Sequence, residues 1–214
     1  MELLLIKCAQ IVFNIYEKYD SSHDYAHIER VMKNADDIMS TEPSANRLVI
    51  RLAVLLHDIN DAKYITDDTP SVLDILNSIG TTEILANKIM TCIDSVSFSG
   101  GNEKEITSLE GAILRDADRL DAIGAIGIAR AFTYGGAKGR KLYNRDESVR
   151  MKMSEDEYRM HDTASITHFY EKLLLLKDLM VTKEGKRLAE KRHSFMVDYL
   201  EQLESEIDLG TKFY

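Results

Sequence analysis

The side chains best suited to chemistry in this chain are two histidines and a few aspartates, set in three separate helix-forming stretches. These are Ser22-His-Asp-Tyr-Ala-His-Ile-Glu-Arg-Val31, Leu55-Leu-His-Asp-Ile59 and Arg115-Asp-Ala-Asp-Arg-Leu-Asp121. His27, His57 and Asp58, joined by one acid of the third stretch, make a mixed nitrogen and oxygen donor set of the kind that suits divalent transition metals. His27 alone, beside an apolar stripe, reads more readily as a structural histidine than as a ligand. His57-Asp58 changes the balance, because it ends a segment that is otherwise almost wholly apolar and so carries two polar groups inward. A buried carboxylate must be paired, hydrogen-bonded or bound to a metal. The fourth donor is ambiguous by periodicity. Asp118 lines up with Gly111, Leu114, Ala122 and Ala125, a small and apolar row, but Asp121 shares much of that face and Asp116 lies on the same helix.

The elements that must hold these residues are all helical in period. Residues 2–19 are apolar at Leu4, Leu5, Cys8, Ile11, Val12, Ile15 and Tyr16, and Asp20-Ser21-Ser22 breaks that helix and offers cap oxygens to the next. A second helix over about 24–40 turns Ile28, Val31, Ala35 and Ile38 to a core. Pro43-Ser44 opens a third over roughly 45–58, apolar almost all round and therefore central. Thr69-Pro70-Ser71 starts a fourth that Gly80 stops, and a fifth covers 82–97. One long helix, bent or straight, is expected from about Ser108 to Tyr134, its glycines and alanines allowing close approach of neighbouring backbones. Two more, about 162–180 and 184–208, end the chain. No segment alternates with period two, so the expectation is an all-α single domain over 1–214, with a metal-site core at about 20–135.

Composition narrows the function classes. The chain has 214 residues, 44% hydrophobic and 29% charged, with only two prolines and eleven glycines. That is ordinary for a globular protein large enough to bury a sizeable core. No apolar run approaches a membrane span, and Met1-Glu-Leu-Leu-Leu-Ile-Lys7 lacks the form of a secretory signal. Cys8 and Cys92 fit no paired motif, which is consistent with a reduced, cytoplasmic setting. A formal charge of −9 argues against a nucleic-acid footprint. Against that balance, residues 135–152 hold six basic side chains (Lys138, Arg140, Lys141, Arg145, Arg150, Lys152) and two acidic ones, a local net of +4 that suits either a small anion or a solvated loop.

The ordered set His…His-Asp…Asp resembles the HD-domain metal-dependent phosphohydrolases. The string Asp116-Ala-Asp-Arg-Leu-Asp-Ala-Ile-Gly-Ala-Ile-Gly-Ile-Ala-Arg130 is similar to a subgroup of small single-domain members, and the likeness runs from about His23 to the C-terminal helix. The resemblance implies a helical bundle and selects Asp118, giving His27, His57, Asp58 and Asp118 as metal ligands. Two-metal relatives carry extra histidines after the His-Asp pair, whereas here none falls between His57 and His161, so one metal is expected. Mn2+ is the first choice, with Mg2+, Co2+, Ni2+ or Fe2+ as alternatives.

The implied reaction is hydrolysis of a phosphoester or phosphoanhydride of a small metabolite, with a nucleotide as the expected substrate: triphosphate pyrophosphohydrolysis or a nucleotidase reaction. Asp61 stands where some members carry a catalytic Glu, with a shorter side chain, and is the expected base or water-orienting group. His23 and Asp24 are further candidates for proton transfer or for support of His27, Asp24 being equally suited to capping a helix. Expected phosphate contacts are Lys63, Arg119, Lys138, Arg140 and Lys172, with Gly135, Gly136 and Gly139 lending freedom to the basic loop and Tyr143 available to stack on a base. The contrasting class is a non-catalytic, metal-containing nucleotide-sensing module. No membrane partner is expected, and a helix-rich surface permits a homo-oligomer.

Overall fold

The computed structural model describes residues 2–19, 24–59, 69–96, 105–150 and 163–207, and among them every regular element is a helix. These residues fall into two compact units. The first holds α1 (Glu2–Tyr16), α2 (Tyr25–Met39), α3 (Arg47–Leu56), α4 (Val72–Ile79), α5 (Glu83–Ile93) and α6 (Leu109–Asp121) as far as Asp118. The second, from Arg119 on, holds α7 (Gly124–Ala137), α8 (Ser165–Glu171), a 3-10 segment (Leu173–Leu179) and α9 (Lys183–Ile207). No helix of the described residues is long and apolar enough to cross a membrane.

In the first unit α3 is the central element, packed by α1, α2 and α5. Val49, Ile50 and every residue from Leu52 to Leu56 are buried, and each such aliphatic side chain contributes about 1.5–3 kcal/mol. Arg51 interrupts the apolar run and pairs with Asp36 at 2.8 Å. Around it, α1 buries Cys8, Val12 and Tyr16 at four-residue spacing, and α2 buries Ile28, Val31, Ala35 and Ile38 as its pattern requires. The helix starts are set by side chains. Asp24 caps α2, Asn46 caps α3, Thr82 caps α5, and Ser71 forms a reciprocal capping box with Asp74. Gly80 ends α4 at φ +87°, a left-handed residue that glycine supplies without a Cβ penalty. Asn46, rather than Pro43-Ser44, thus opens α3, and Asp24, rather than 20–22, opens α2.

Two expected helices are divided. The segment 108–134 breaks at Ala122-Ile123, where Gly124 takes φ +76°. A Cβ on Gly127 would lie 2.3 Å from the Ala122 carbonyl oxygen, so Gly127 serves the turn, whereas a Cβ on Gly124 would meet the Arg192 side chain of α9 at 2.9 Å, a close approach between helices. The segment 162–180 becomes α8 followed by a 3-10 run. Three residues per turn stack Leu173 and Leu176 on one edge, and both are buried. In this second unit α9 packs on α7 and on the 3-10 segment, while α8 contacts both of those.

Candidate metal centre

Three helices of the first unit bring His27, His57, Asp58 and Asp118 to one place. His27 Nε2 lies 3.4 Å from Asp58 Oδ2 and 3.6 Å from Asp118 Oδ1. His57 Nε2 lies 3.4 Å from Asp58 Oδ1 and 3.8 Å from Asp118 Oδ1. Donors about 2.1 Å from a common ion at tetrahedral or octahedral angles stand about 3.0–3.4 Å apart, so the set fits a single divalent cation. Charge fits as well, since two carboxylates and two neutral imidazoles would balance a dication. Both histidines are buried, whereas the Asp118 side chain is 31% exposed, so the cluster opens on the Asp118 side.

Hydrogen bonds brace His27, His57 and the backbone beside Asp118. The carboxylate of Asp24 accepts the His27 backbone N–H at 2.9 Å, which starts α2 three residues before the imidazole. His57 is the C-cap of α3, and its Nδ1 lies 2.9 Å from the Val54 carbonyl. A carbonyl only accepts, so Nδ1 carries the proton and Nε2 is left to face the carboxylates. One residue after Val54, the Leu55 carbonyl accepts the buried Tyr16 hydroxyl at 3.1 Å. Buried Asn34 donates to the Ala117 carbonyl at 2.9 Å, tying α2 to the peptide that precedes Asp118.

Electrostatics follow from this packing. Burial opposes the charged form of His57, yet Asp58 and Asp118 outweigh it and raise its pKa to about 9. Burial likewise opposes ionisation of Asp118, but His57 and His27 hold it below the usual carboxylate range. His57 Nε2 has no hydrogen-bond partner among the described residues, although it is buried. A buried imidazole nitrogen facing two carboxylates is what a cation site presents in its metal-free form.

The remaining expected residues divide differently. His23, Asp61 and Lys63 lie outside the described residues. Asp24 is committed to capping α2. Arg119, Lys138, Arg140 and Lys172 belong to the second unit. Arg119, expected on a phosphate, is buried and donates through Nη1 to the Leu179 carbonyl, so much of its donor fork serves the fold. Lys172 is the half-buried C-cap of α8. Lys138 and Arg140 both lie over the Tyr134 ring. Asp121, the rival of Asp118 by periodicity, is buried and paired with Arg130 at 2.6 Å. Asn34 escaped the sequence reading, and Tyr16 was read there only as an apolar position of the first helix. An asparagine on the buried stripe of α2 was the available signal.

No family model matches the chain. It is 38% identical over 201 residues to the Bacillus subtilis protein YpgQ, covering 92% of this chain and 90% of that one. The crystal structure of YpgQ in complex with ADP matches with a TM-score of 0.75 at 33% identity, over 95% of this chain and 94% of that chain. A crystal structure from Lactobacillus plantarum matches with a TM-score of 0.85 at 35% identity, over 98% and 99%. An HD-superfamily hydrolase from Bacillus thuringiensis matches with a TM-score of 0.73 at 38% identity, over 95% and 96%.

Proposed function

Since this chain belongs to the HD superfamily of hydrolases, we propose that it cleaves a phosphoester or phosphoanhydride bond of a small phosphorylated metabolite, specifically a nucleotide. The observation that carries the proposal is the convergence of His27, His57, Asp58 and Asp118 within 3.4–3.8 Å across three helices. These four side chains would hold one divalent metal, with Mn2+ as the proposed ion. When bound, such an ion lowers the pKa of a water and polarises a phosphoryl oxygen, which is the chemistry that phosphate-ester hydrolysis needs.

The protein's own groups do the rest. Val54 and Asp24 orient His57 and His27, and Asn34 keeps Asp118 in register with α2. Burial of both imidazoles excludes bulk water from one side, leaving approach open past Asp118. Asp61, three residues beyond Asp58, is the proposed base or water-orienting group, and Lys63, Lys138 and Arg140 are the proposed phosphate contacts. The ADP carried by the relative YpgQ supports a nucleotide as ligand. Residues 1–214 are taken as one functional domain.

The test is a panel of nucleoside mono-, di- and triphosphates incubated with each of the five candidate cations, with products identified by phosphorus NMR. Release of pyrophosphate or phosphate by the native chain, abolished in Asp58→Ala, is expected. A metal-loaded chain that leaves every nucleotide intact would refute the proposal.

A further inference from the structure

The carboxyl end of α3 is finished by side chains as much as by the helix itself. The last carbonyls of a helix have no partner within it, and buried ones must find another. Here the Ile59 N–H bonds to the Leu56 carbonyl at 3.2 Å, a three-residue span in place of the four-residue helical one. The Leu55 carbonyl, which Ile59 would reach in a continued helix, is thereby released. His57 Nδ1 meets the Val54 carbonyl at 2.9 Å, and the Tyr16 hydroxyl meets that of Leu55 at 3.1 Å. Tyr16 is the last residue of α1 and stands 39 positions from Leu55 in sequence.

The phenol does more than fill the core. Tyr16 is wholly buried, and burial followed by the Asp58 charge pushes its pKa well above the ordinary phenol value, so the hydroxyl keeps its proton. The Asp58 backbone also hydrogen-bonds this hydroxyl in the sense that lowers its pKa, and only an N–H donor acts in that sense. The phenol therefore donates to Leu55 and accepts from Asp58, standing between the two groups where α3 stops. Tyr19 meets its ring edge-on, 5.3 Å between centroids, and α1 packs along α3. Val12, one turn earlier on the buried face of α1, shares that packing but has no polar atom in its side chain.

We propose that Tyr16 is a positioning residue of the metal centre: its hydroxyl clamps the turn that carries His57 and Asp58, so that His57 Nε2 and the Asp58 carboxylate face His27 and Asp118 together. The inference rests on the metal centre of the hydrolase reading above, and it adds a requirement from α1, a helix that supplies no ligand. Without the hydroxyl, the Leu55 carbonyl and the Asp58 N–H lose this partner in the interior, which favours rewinding of the turn. Rewinding would offer Leu55 to Ile59 and Val54 to Asp58. The Val54 carbonyl would then be taken from His57 Nδ1, and the imidazole would lose its orientation.

The experiment is calorimetric titration of Mn2+, and of the other four candidate cations, into the full-length chain stripped with EDTA and dialysed. Tyr16→Phe keeps the ring and should lower the affinity for the bound cation about 10–100-fold. Val12→Ala should lower the Tm of the metal-free chain yet bind the cation as the native protein does. Asp58→Ala should not bind it. Hydrogen exchange on the native, metal-free chain gives a readout independent of how any variant folds: the Asp58 amide should exchange slowly, as a buried donor does. Native affinity in Tyr16→Phe, or an equal loss in Val12→Ala, overturns the inference and leaves the metal centre standing. So does an Asp58 amide that exchanges in the native chain as a solvated one would. A native chain that takes up none of the five cations overturns this inference together with the metal centre.

Discussion

Asn34→Ala tests the link between packing and the metal centre. Asn34 is 3% exposed, and its Nδ2 donates at 2.9 Å to the carbonyl of Ala117, a residue 83 positions away in sequence. Truncation removes the donor and leaves an acceptor where water has little access. The cost is about 1–3 kcal/mol. For a chain of this size each kcal/mol shifts Tm by about 2–4 °C, so a fall of about 2–12 °C is expected. The fall should persist in EDTA, because the bond belongs to the fold and not to a bound ion. A second effect separates this residue from an ordinary core polar group. The Ala117 carbonyl precedes Asp118, so freeing it loosens one metal-facing carboxylate against His27, and affinity for Mn2+ should weaken several-fold. Asn34→Asp keeps the size but replaces the amide donor, and should be at least as damaging, since it also buries a charge beside a carbonyl oxygen. Thermal unfolding by circular dichroism and a metal titration check both effects. An Asn34→Ala protein with native Tm and native metal affinity would show the reasoning to be wrong.

Other substitutions and conditions probe separate parts of the argument. Gly127→Ala should destabilise by about 1–3 kcal/mol in urea unfolding, although helix propensity alone would favour alanine by about 1 kcal/mol, because its Cβ would meet the Ala122 carbonyl oxygen at 2.3 Å; a more stable variant refutes the account of the turn. Mn2+ at 100 times its Kd should stabilise the native chain by about 2.7 kcal/mol, reversibly with EDTA, and Asp58→Ala should lose that gain; equal stabilisation of both proteins would place the ion elsewhere. His168 titrates at 6.5 unfolded and at about 3 folded, so below pH 6.5 the unfolded chain takes up a proton that the native one does not. Stability should therefore be full above pH 6.5 and fall toward pH 3, by about 2 kcal/mol between 6.5 and 5, measured as the difference between native protein and His168→Gln. Identical pH profiles for the two would contradict a half-buried His168 that stays neutral in the folded chain.

Amino-acid order alone was enough to establish the helical class and the ends of most helices. Caps and periodic stripes are local properties: Ser71 with Asp74, Gly80, and the four-residue spacing of Cys8, Val12 and Tyr16 act within a turn or two. It also presented His27, His57 and Asp58, because polar residues stand out against apolar runs. It could not choose between Asp118 and Asp121, which lie three residues apart on one helix, without appeal to a family likeness. Space separates them. Asp121 is taken by Arg130 from beyond a turn that periodicity did not foresee, while Asp118 meets two imidazoles from other helices. The break at Ala122-Ile123, the 3-10 run of leucines and the Asn34 brace were likewise decided by tertiary contacts. In each case the deciding partner is a steric wall, an edge of the core or a carbonyl that chain folding brings near, and no local window of sequence contains it.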